Sequence, residues 1–438
     1  MIATKHTLPS AKTLAEWVRD ARQRTLALIA DLNDEQLLGP RLPIVNPLLW
    51  EIGHIAWFQE KWVLRHASKQ PPIRRDTDAL YDSAAVPHDV RWDLPLPARA
   101  ETLRYLGSVC DNVLARIEAR PAEDLFYFVQ LSVFHEDMHG EAFLYARQTL
   151  GYPAPPFLST PHASTLEGGA LSGDVAISGG AFLLGAAATE SFVFDNEKWA
   201  HAVQVKPFHI ARVAVTQAEF AAFVEDGGYC RQTLWTPEGW HWRESSGAQH
   251  PVYWRRVPGN GWQRRGFDHW VPLEPHHPVL HVNWYESEAY CRWAGRLLPT
   301  ETEWEVAAAA EPAHGGQGFS PRKRHFPWGD GFPGSQHANL SGKRLGSISV
   351  GSLPAGDSAF GCRQMVGNVW EWTASDFLPY PGFVADPYKE YSQPWFGTHK
   401  VLRGGCWATQ ARLLRNTWRN FYTPDRRDVW AGFRTCAL

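Results

Sequence analysis

The sequence predicts an α+β chain, a four-helix bundle followed by an irregular domain of short strands and long loops. Three observations carry this. Residues 11–150 hold four segments whose apolar positions recur at the helical period, with one long crossover among them. Beyond Val175 that period gives way to short apolar runs punctuated by Gly, Pro and Trp, as in Ile177, Ser178, Gly179, Gly180, Ala181, Phe182, Leu183, Leu184, Gly185. Between the two, residues 151–173 are rich in Pro, Gly, Ser and Thr and have no period, the composition of a linker. The expected organisation is a bundle over residues 1–155, a linker over 156–174 and the irregular domain over 175–438. A chain of 438 residues exceeds one ordinary core and suits two or three domains.

The first helix is expected over residues 11–32, where Leu14, Trp17, Val18, Ala21, Leu26, Ile29 and Leu32 keep the period. Asn46 and Pro47 can start a second, running through His54 to about Arg65. Residues 71–97 form a turn-rich connection with no period of their own, a kind of segment that often carries function. A third helix is expected from about Ala98 to Arg120, and a fourth from about Ala122 to Leu150. In the second domain two helices stand out, over residues 216–226 and 284–294.

Composition narrows the function classes. A formal net charge of −3 gives no electrostatic basis for binding nucleic acid or an anionic membrane. No apolar run reaches the roughly 18 residues of a membrane span, and residues 1–10 lack the pattern of a secretory leader. Cys110, Cys230, Cys291, Cys362, Cys406 and Cys436 are scattered without short spacings, as expected for reduced thiols in a cytoplasmic protein. The 22 tryptophans supply core packing and aromatic faces on which a quaternary ammonium can sit.

The chemistry is expected at three histidines. His135 and His139, in Phe134, His135, Glu136, Asp137, Met138, His139, Gly140, Glu141, lie one helical turn apart, so both rings project from one face and can grip one ion. His54, in Trp50, Glu51, Ile52, Gly53, His54, Ile55, Ala56, Trp57, Phe58, faces a core, where ligands from different helices of a bundle converge. Asp137 reads as an exposed helix charge, and Glu136 or Glu141 as a carboxylate that orients a ligand ring.

Five further stretches suggest a family: Leu298, Pro299, Thr300, Glu301, Thr302, Glu303, Trp304, Glu305; Phe326, Pro327, Trp328, Gly329; Gly367, Asn368, Val369, Trp370, Glu371, Trp372, Thr373; Arg403, Gly404, Gly405, Cys406, Trp407; and Gly432, Phe433, Arg434. With them the second domain resembles the formylglycine-generating-enzyme (sulfatase-modifying factor) fold, a C-type-lectin-like fold. The first resembles the DinB-like four-helix bundle, in which three histidines bind a metal. Together they resemble the ergothioneine-biosynthesis sulfoxide synthases, non-haem iron enzymes that use O2 to join a sulfur donor to imidazole C2 of hercynine, Nα-trimethylhistidine. The resemblance implies Fe(II) on His54, His135 and His139. It implies an active-site phenol in a Tyr-x-x-Tyr element, here Tyr388, Lys389, Glu390, Tyr391, with Tyr388 the donor of a proton or hydrogen atom, Tyr391 beside it and Tyr380 a competitor. It also implies hercynine contacts from Asn420 and Phe421, with Arg426 a further substrate-binding residue.

Departures from the family pattern bear on the donor. Members that use γ-glutamylcysteine carry an Arg-x-x-Arg pair, here His88 and Arg91, and an Asp two residues after the hercynine-binding Asn, here Tyr422. Met138 stands where those members often have Gln. A dianionic amino-acid donor would lose partners worth about 2–5 kcal/mol. The changes point to the selenoneine-synthase branch with a selenosugar donor; γ-glutamylcysteine or cysteine, in an ergothioneine synthase, remains the alternative. A DinB-type zinc thiol transferase is a further reading of the same histidines. Formylglycine generation is disfavoured, because the close C-terminal cysteine pair is missing: Cys406 is followed only by Cys436.

Overall fold

A computed structural model of the chain describes residues 8–119, 123–158 and 168–438. It divides into two compact units, Met1–Thr160 with Thr189–Phe192, and Pro161–Ala188 with Val193–Leu438. The expected helix ends at residues 120 and 122 and residues 159–167 of the expected linker lie outside the described residues.

The first unit contains α1 (Ala11–Ile29), α2 (Asp34–Leu38), α3 (Leu48–Gln59), α4 (Thr77–Tyr81), α5 (Arg99–Glu118) and α6 (Glu123–Leu150). Its four long helices are those the period predicts. α1 starts where the Ser10 hydroxyl accepts the Thr13 amide and buries Leu14, Val18, Ala21 and Leu28 along one face. After Gln59, α3 widens into π-helical turns over Glu60–Ala67, so the expected helix to Arg65 is present with a changed period. The connection over residues 71–97 is not structureless, since it holds α4 and a single 3-10 turn at His88–Val90. Ile52, Val63, Val109, Val113, Val133 and Phe143 fill the bundle core. Within that core the guanidinium of Arg22 donates to Glu136 and Gln59, and the Thr25 hydroxyl also donates to Glu136, so α1, α3 and α6 share one satisfied polar cluster.

The second unit is built on a four-stranded sheet in the order Asn420–Tyr422, Lys400–Arg403, Trp370–Asp376, Ala431–Phe433. Lys400–Arg403 pairs antiparallel with both neighbours, whereas Trp370–Asp376 and Ala431–Phe433 run parallel. The expected helices appear as Gln217–Glu225, opened by a Thr216–Glu219 capping box, and Trp284–Ala294. Pro237–Ser246 and Glu301–Ala309 add two more, each capped by a threonine. The short motifs of the sequence meet here as buried ion pairs. Glu371 accepts from Arg434 at 2.6 and 2.7 Å and from the Trp304 indole at 2.7 Å; Arg403 pairs with Glu305 and Arg419 with Glu301. Removing one member of such a pair strands a buried charge, at about 3–5 kcal/mol. Among the described residues, which include all six cysteines, no disulfide forms. Among the described residues no helix is long and apolar enough to cross a membrane.

Candidate metal centre

His54 on α3 and His135 and His139 on α6 offer one ring nitrogen each, and these atoms all lie within 4.8 Å of one another. Among the described residues no other group of three or more His, Cys, Asp or Glu is so disposed. The helices bring them together for the reasons the sequence gives, a one-turn spacing on α6 and a core-facing position on α3. His54 and His135 are 3% and 5% exposed. Burial, with His139 close by, holds both well below the usual imidazole range, so they are neutral near pH 7 and can donate lone pairs.

The far sides of the rings are fixed. The Tyr81 carbonyl oxygen lies 2.8 Å from His54 Nδ1, which must carry the proton there and leaves Nε2 as the free lone pair. The Glu51 carboxylate, 2% exposed, lies 2.6 Å from His139 Nδ1 and sets the same tautomer on that ring. Phe58 stacks on His135 at 3.6 Å and Trp50 on His54 at 4.9 Å, which limits rotation of both. Gly53 is required by this arrangement, because a Cβ would fall 2.2 Å from the Tyr81 ring, whose own carbonyl holds His54. A donor set of oriented imidazoles, two of them buried and neutral, fits a borderline divalent ion such as Fe(II) or Zn(II).

Two of the acidic neighbours on α6 are not placed as the sequence suggests. Asp137 is buried rather than exposed, because every position from Phe128 to Asp137 is buried and the helix has no solvent face there. Glu136 turns to Arg22 and Thr25, while Glu51 on α3 holds the His139 ring. Glu51 was findable: it is a carboxylate in an otherwise apolar helix, one turn before His54.

The remaining candidates have definite surroundings. His88 Nε2 lies 2.7 Å from the Val45 carbonyl. Arg91 donates to Asn46 and to the Val86 carbonyl, and its guanidinium lies 3.9 Å over the Trp50 ring, so Trp50 links it to His54; burial lowers its pKa to about 10. Met138 is half-buried on α6. In the second unit, Tyr388 precedes a single 3-10 turn and Tyr391 ends it, with ring centroids 6.1 Å apart. The Tyr391 hydroxyl accepts from the Trp418 indole at 3.4 Å, and burial raises its pKa. Asn420, Phe421 and Tyr422 form the edge strand of the central sheet; Phe421 stacks on Phe377 at 4.1 Å. Arg426 pairs with Asp428 at 2.7 Å and covers the Tyr422 ring. Tyr380, the competing phenol, is buried beneath the Arg419 guanidinium.

Comparison with known proteins agrees with both units. Residues 18–142 match the DinB superfamily, and residues 161–437 match the sulfatase-modifying factor enzyme 1-like domain. A hercynine oxygenase of Mycolicibacterium thermoresistibile is 39% identical over 436 residues, which is 98% of this chain and 95% of that protein. The chain belongs to the hercynine oxygenase family. A hercynine oxygenase of Mycolicibacterium smegmatis is 38% identical over 97% of this chain and 98% of its own length. A formylglycine-generating enzyme of Streptomyces coelicolor is 33% identical but spans only 60% of this chain. As a hercynine oxygenase family member, the chain is an oxidative enzyme of small-molecule substrates, and its three histidines are a possible metal site.

Proposed function

We propose that this protein is a non-haem Fe(II) enzyme that uses O2 to join a chalcogen donor to imidazole C2 of hercynine. The observation that carries the proposal is the convergence of three ring nitrogens, two of them on buried neutral imidazoles and two on rings whose tautomer is fixed from behind. When bound, Fe(II) supplies open coordination positions for O2 and a chalcogen anion. Loss of the C2 and donor hydrogens with formation of the new bond removes two electrons. Leaving one oxygen atom on the chalcogen and releasing one water accounts for the four electrons that O2 takes up.

The protein residues bind and deliver protons. Phe421, backed by Phe377, offers an aromatic face to the trimethylammonium group, and Asn420 offers hydrogen bonds to hercynine. Tyr388 is assigned as the proton donor, with Tyr391 beside it. For the donor, the favoured reading is a selenosugar. The positions that would clamp two carboxylates are committed within the protein, His88 to Val45 and Arg91 to Asn46, Val86 and Trp50. Arg426 is already neutralised by Asp428 beside Tyr422. A neutral donor meets no unpaired charge there, and a selenolate is a soft ligand for the metal. Cysteines held as thiols suit a cytoplasmic enzyme.

The test is a competition. The Fe(II) protein is supplied with hercynine, O2, a 1-selenosugar, a 1-thiosugar, γ-glutamylcysteine and cysteine, and the products are read by mass. The selenosugar adduct is expected to dominate. Faster turnover of γ-glutamylcysteine or cysteine would assign the protein to ergothioneine synthesis instead.

A further inference from the structure

The Tyr-x-x-Tyr element of the second unit is one turn of 3-10 helix, Lys389–Tyr391, and a turn of that length has no stability of its own. A neighbouring segment, residues 194–198, meets it at three successive points. The Phe194 ring stacks on Tyr391 with centroids 4.4 Å apart. The Ser392 hydroxyl donates to Asp195 Oδ1 at 2.5 Å. The Lys198 ammonium reaches both oxygens of Asp386 at 2.6 and 2.7 Å. The segment is itself anchored from behind, since Glu197, fully buried, accepts from Arg415 at 2.8 Å, from the Thr417 hydroxyl at 2.7 Å and from the Phe194 amide at 3.2 Å.

We infer that Asp195 is a positioning residue for the oxidative reaction, fixing through Ser392 the place at which the Tyr388 and Tyr391 phenols are presented. The inference rests on the reading of the Tyr-x-x-Tyr element as proton donor. Ser392 follows Tyr391 directly, is fully buried, and ties the end of the turn to a segment that cannot shift without breaking the Glu197 cluster. Asp195 is a costly choice for a purely structural bond. It is 2% exposed, and burial raises its pKa to about 6, with Asp386 acting in the same direction. A carboxyl whose pKa is raised on folding stabilises the fold fully only below its unfolded value near 4, and that contribution is lost as pH rises through 6. At neutral pH the ion therefore works against stability, and buried groups retained at such a cost cluster at functional sites.

The experiment uses the whole Fe(II) protein and compares Asp195→Ala, Asp195→Asn, Ser392→Ala and Tyr388→Phe singly and in pairs. Steady-state constants for hercynine, the ratio of coupled product to oxidised donor, and the thermal midpoint are measured for each. Asp195→Ala and Ser392→Ala, which both remove the bond, are expected to lower kcat by about tenfold or more with KM within about twofold, and to shift the product ratio as Tyr388→Phe does. Asp195→Asn keeps an amide oxygen that accepts from Ser392, so it is expected to retain most of kcat, with a thermal midpoint at or above that of the unmodified protein. Asp195→Ala with Tyr388→Phe is expected to be little worse than Tyr388→Phe alone, because one acts through the other. Unchanged kcat and product ratio in both Asp195→Ala and Ser392→Ala, beside a clear effect of Tyr388→Phe, would overturn the inference. If Tyr388→Phe itself has no effect, the Tyr388 assignment fails separately, and the same cycle run with Tyr391→Phe decides the role of Asp195.

Discussion

Replacing Glu51 by Gln isolates the charge behind one ligand while keeping its shape. The carboxylate lies 2.6 Å from His139 Nδ1 and is 2% exposed, so the bond is charge-assisted and shielded from water. Hydrogen bonds to charged groups contribute about 1.5–3 kcal/mol, and a factor of ten in affinity is about 1.4 kcal/mol. The Gln amide oxygen can still accept from Nδ1, so the tautomer survives and the charge is lost. The Kd for Fe(II) is then expected to rise by about 10–100-fold, the usual cost of disturbing a partner behind a metal-binding histidine. Anaerobic titration against a chromophoric Fe(II) chelator measures it directly, and Glu51→Asp should recover part of the loss. An unchanged Kd in Glu51→Gln, with the thermal midpoint of the metal-free protein also unchanged, would leave Glu51 as a packing residue.

Three other outcomes follow from the same geometry. Gly53→Ala forces the Tyr81 ring away from α3, and should cost about 1–3 kcal/mol in urea unfolding of the metal-free protein and weaken metal binding through the displaced His54. The folded-state pKa values of His54 and His135 lie below the unfolded value near 6.5, so their contribution to stability is present above that pH and lost below it. Urea unfolding of the metal-free protein should therefore show each histidine removing up to about 1.4 kcal/mol per pH unit between pH 6.5 and 5.5, and the slope should shrink in His135→Asn. His88→Arg with Tyr422→Asp should raise the kcat/KM of γ-glutamylcysteine relative to a selenosugar; an unchanged ratio would remove these positions from donor selection.

The parts of this fold that obey a period were legible in the chain, and so was the meeting of three histidines. α1, α3, α5 and α6 each repeat their apolar face often enough to be read, and the one-turn spacing of His135 and His139 follows from the helix itself. α2 and α4 have five residues each, less than two turns, so no period forms. Asp137 was misread because a helix buried on all sides carries no signal of which residue meets water. The second unit was legible only as motifs. Its strands run from two to seven residues, too short for alternation to register, yet Glu371, Arg434, Trp304, Arg403 and Glu305 come from those motifs and pair with one another. Glu51 stands out as a carboxylate in an apolar helix, but which ring it meets does not, since His139 lies 88 positions away; Asp195 and Ser392, 197 positions apart, carry no such signal.

The central claim is that three histidines hold an iron that reacts with O2 in the presence of hercynine. It is tested most directly by O2 uptake in protein reconstituted with Fe(II) or with Zn(II), with and without hercynine and donor, alongside His135→Ala. Uptake coupled one-to-one to product is expected only in the Fe(II) protein with both substrates present, and none in His135→Ala. Product formed by the Zn(II) protein without O2 consumption, or full Fe(II) occupancy and activity in His135→Ala, would contradict it.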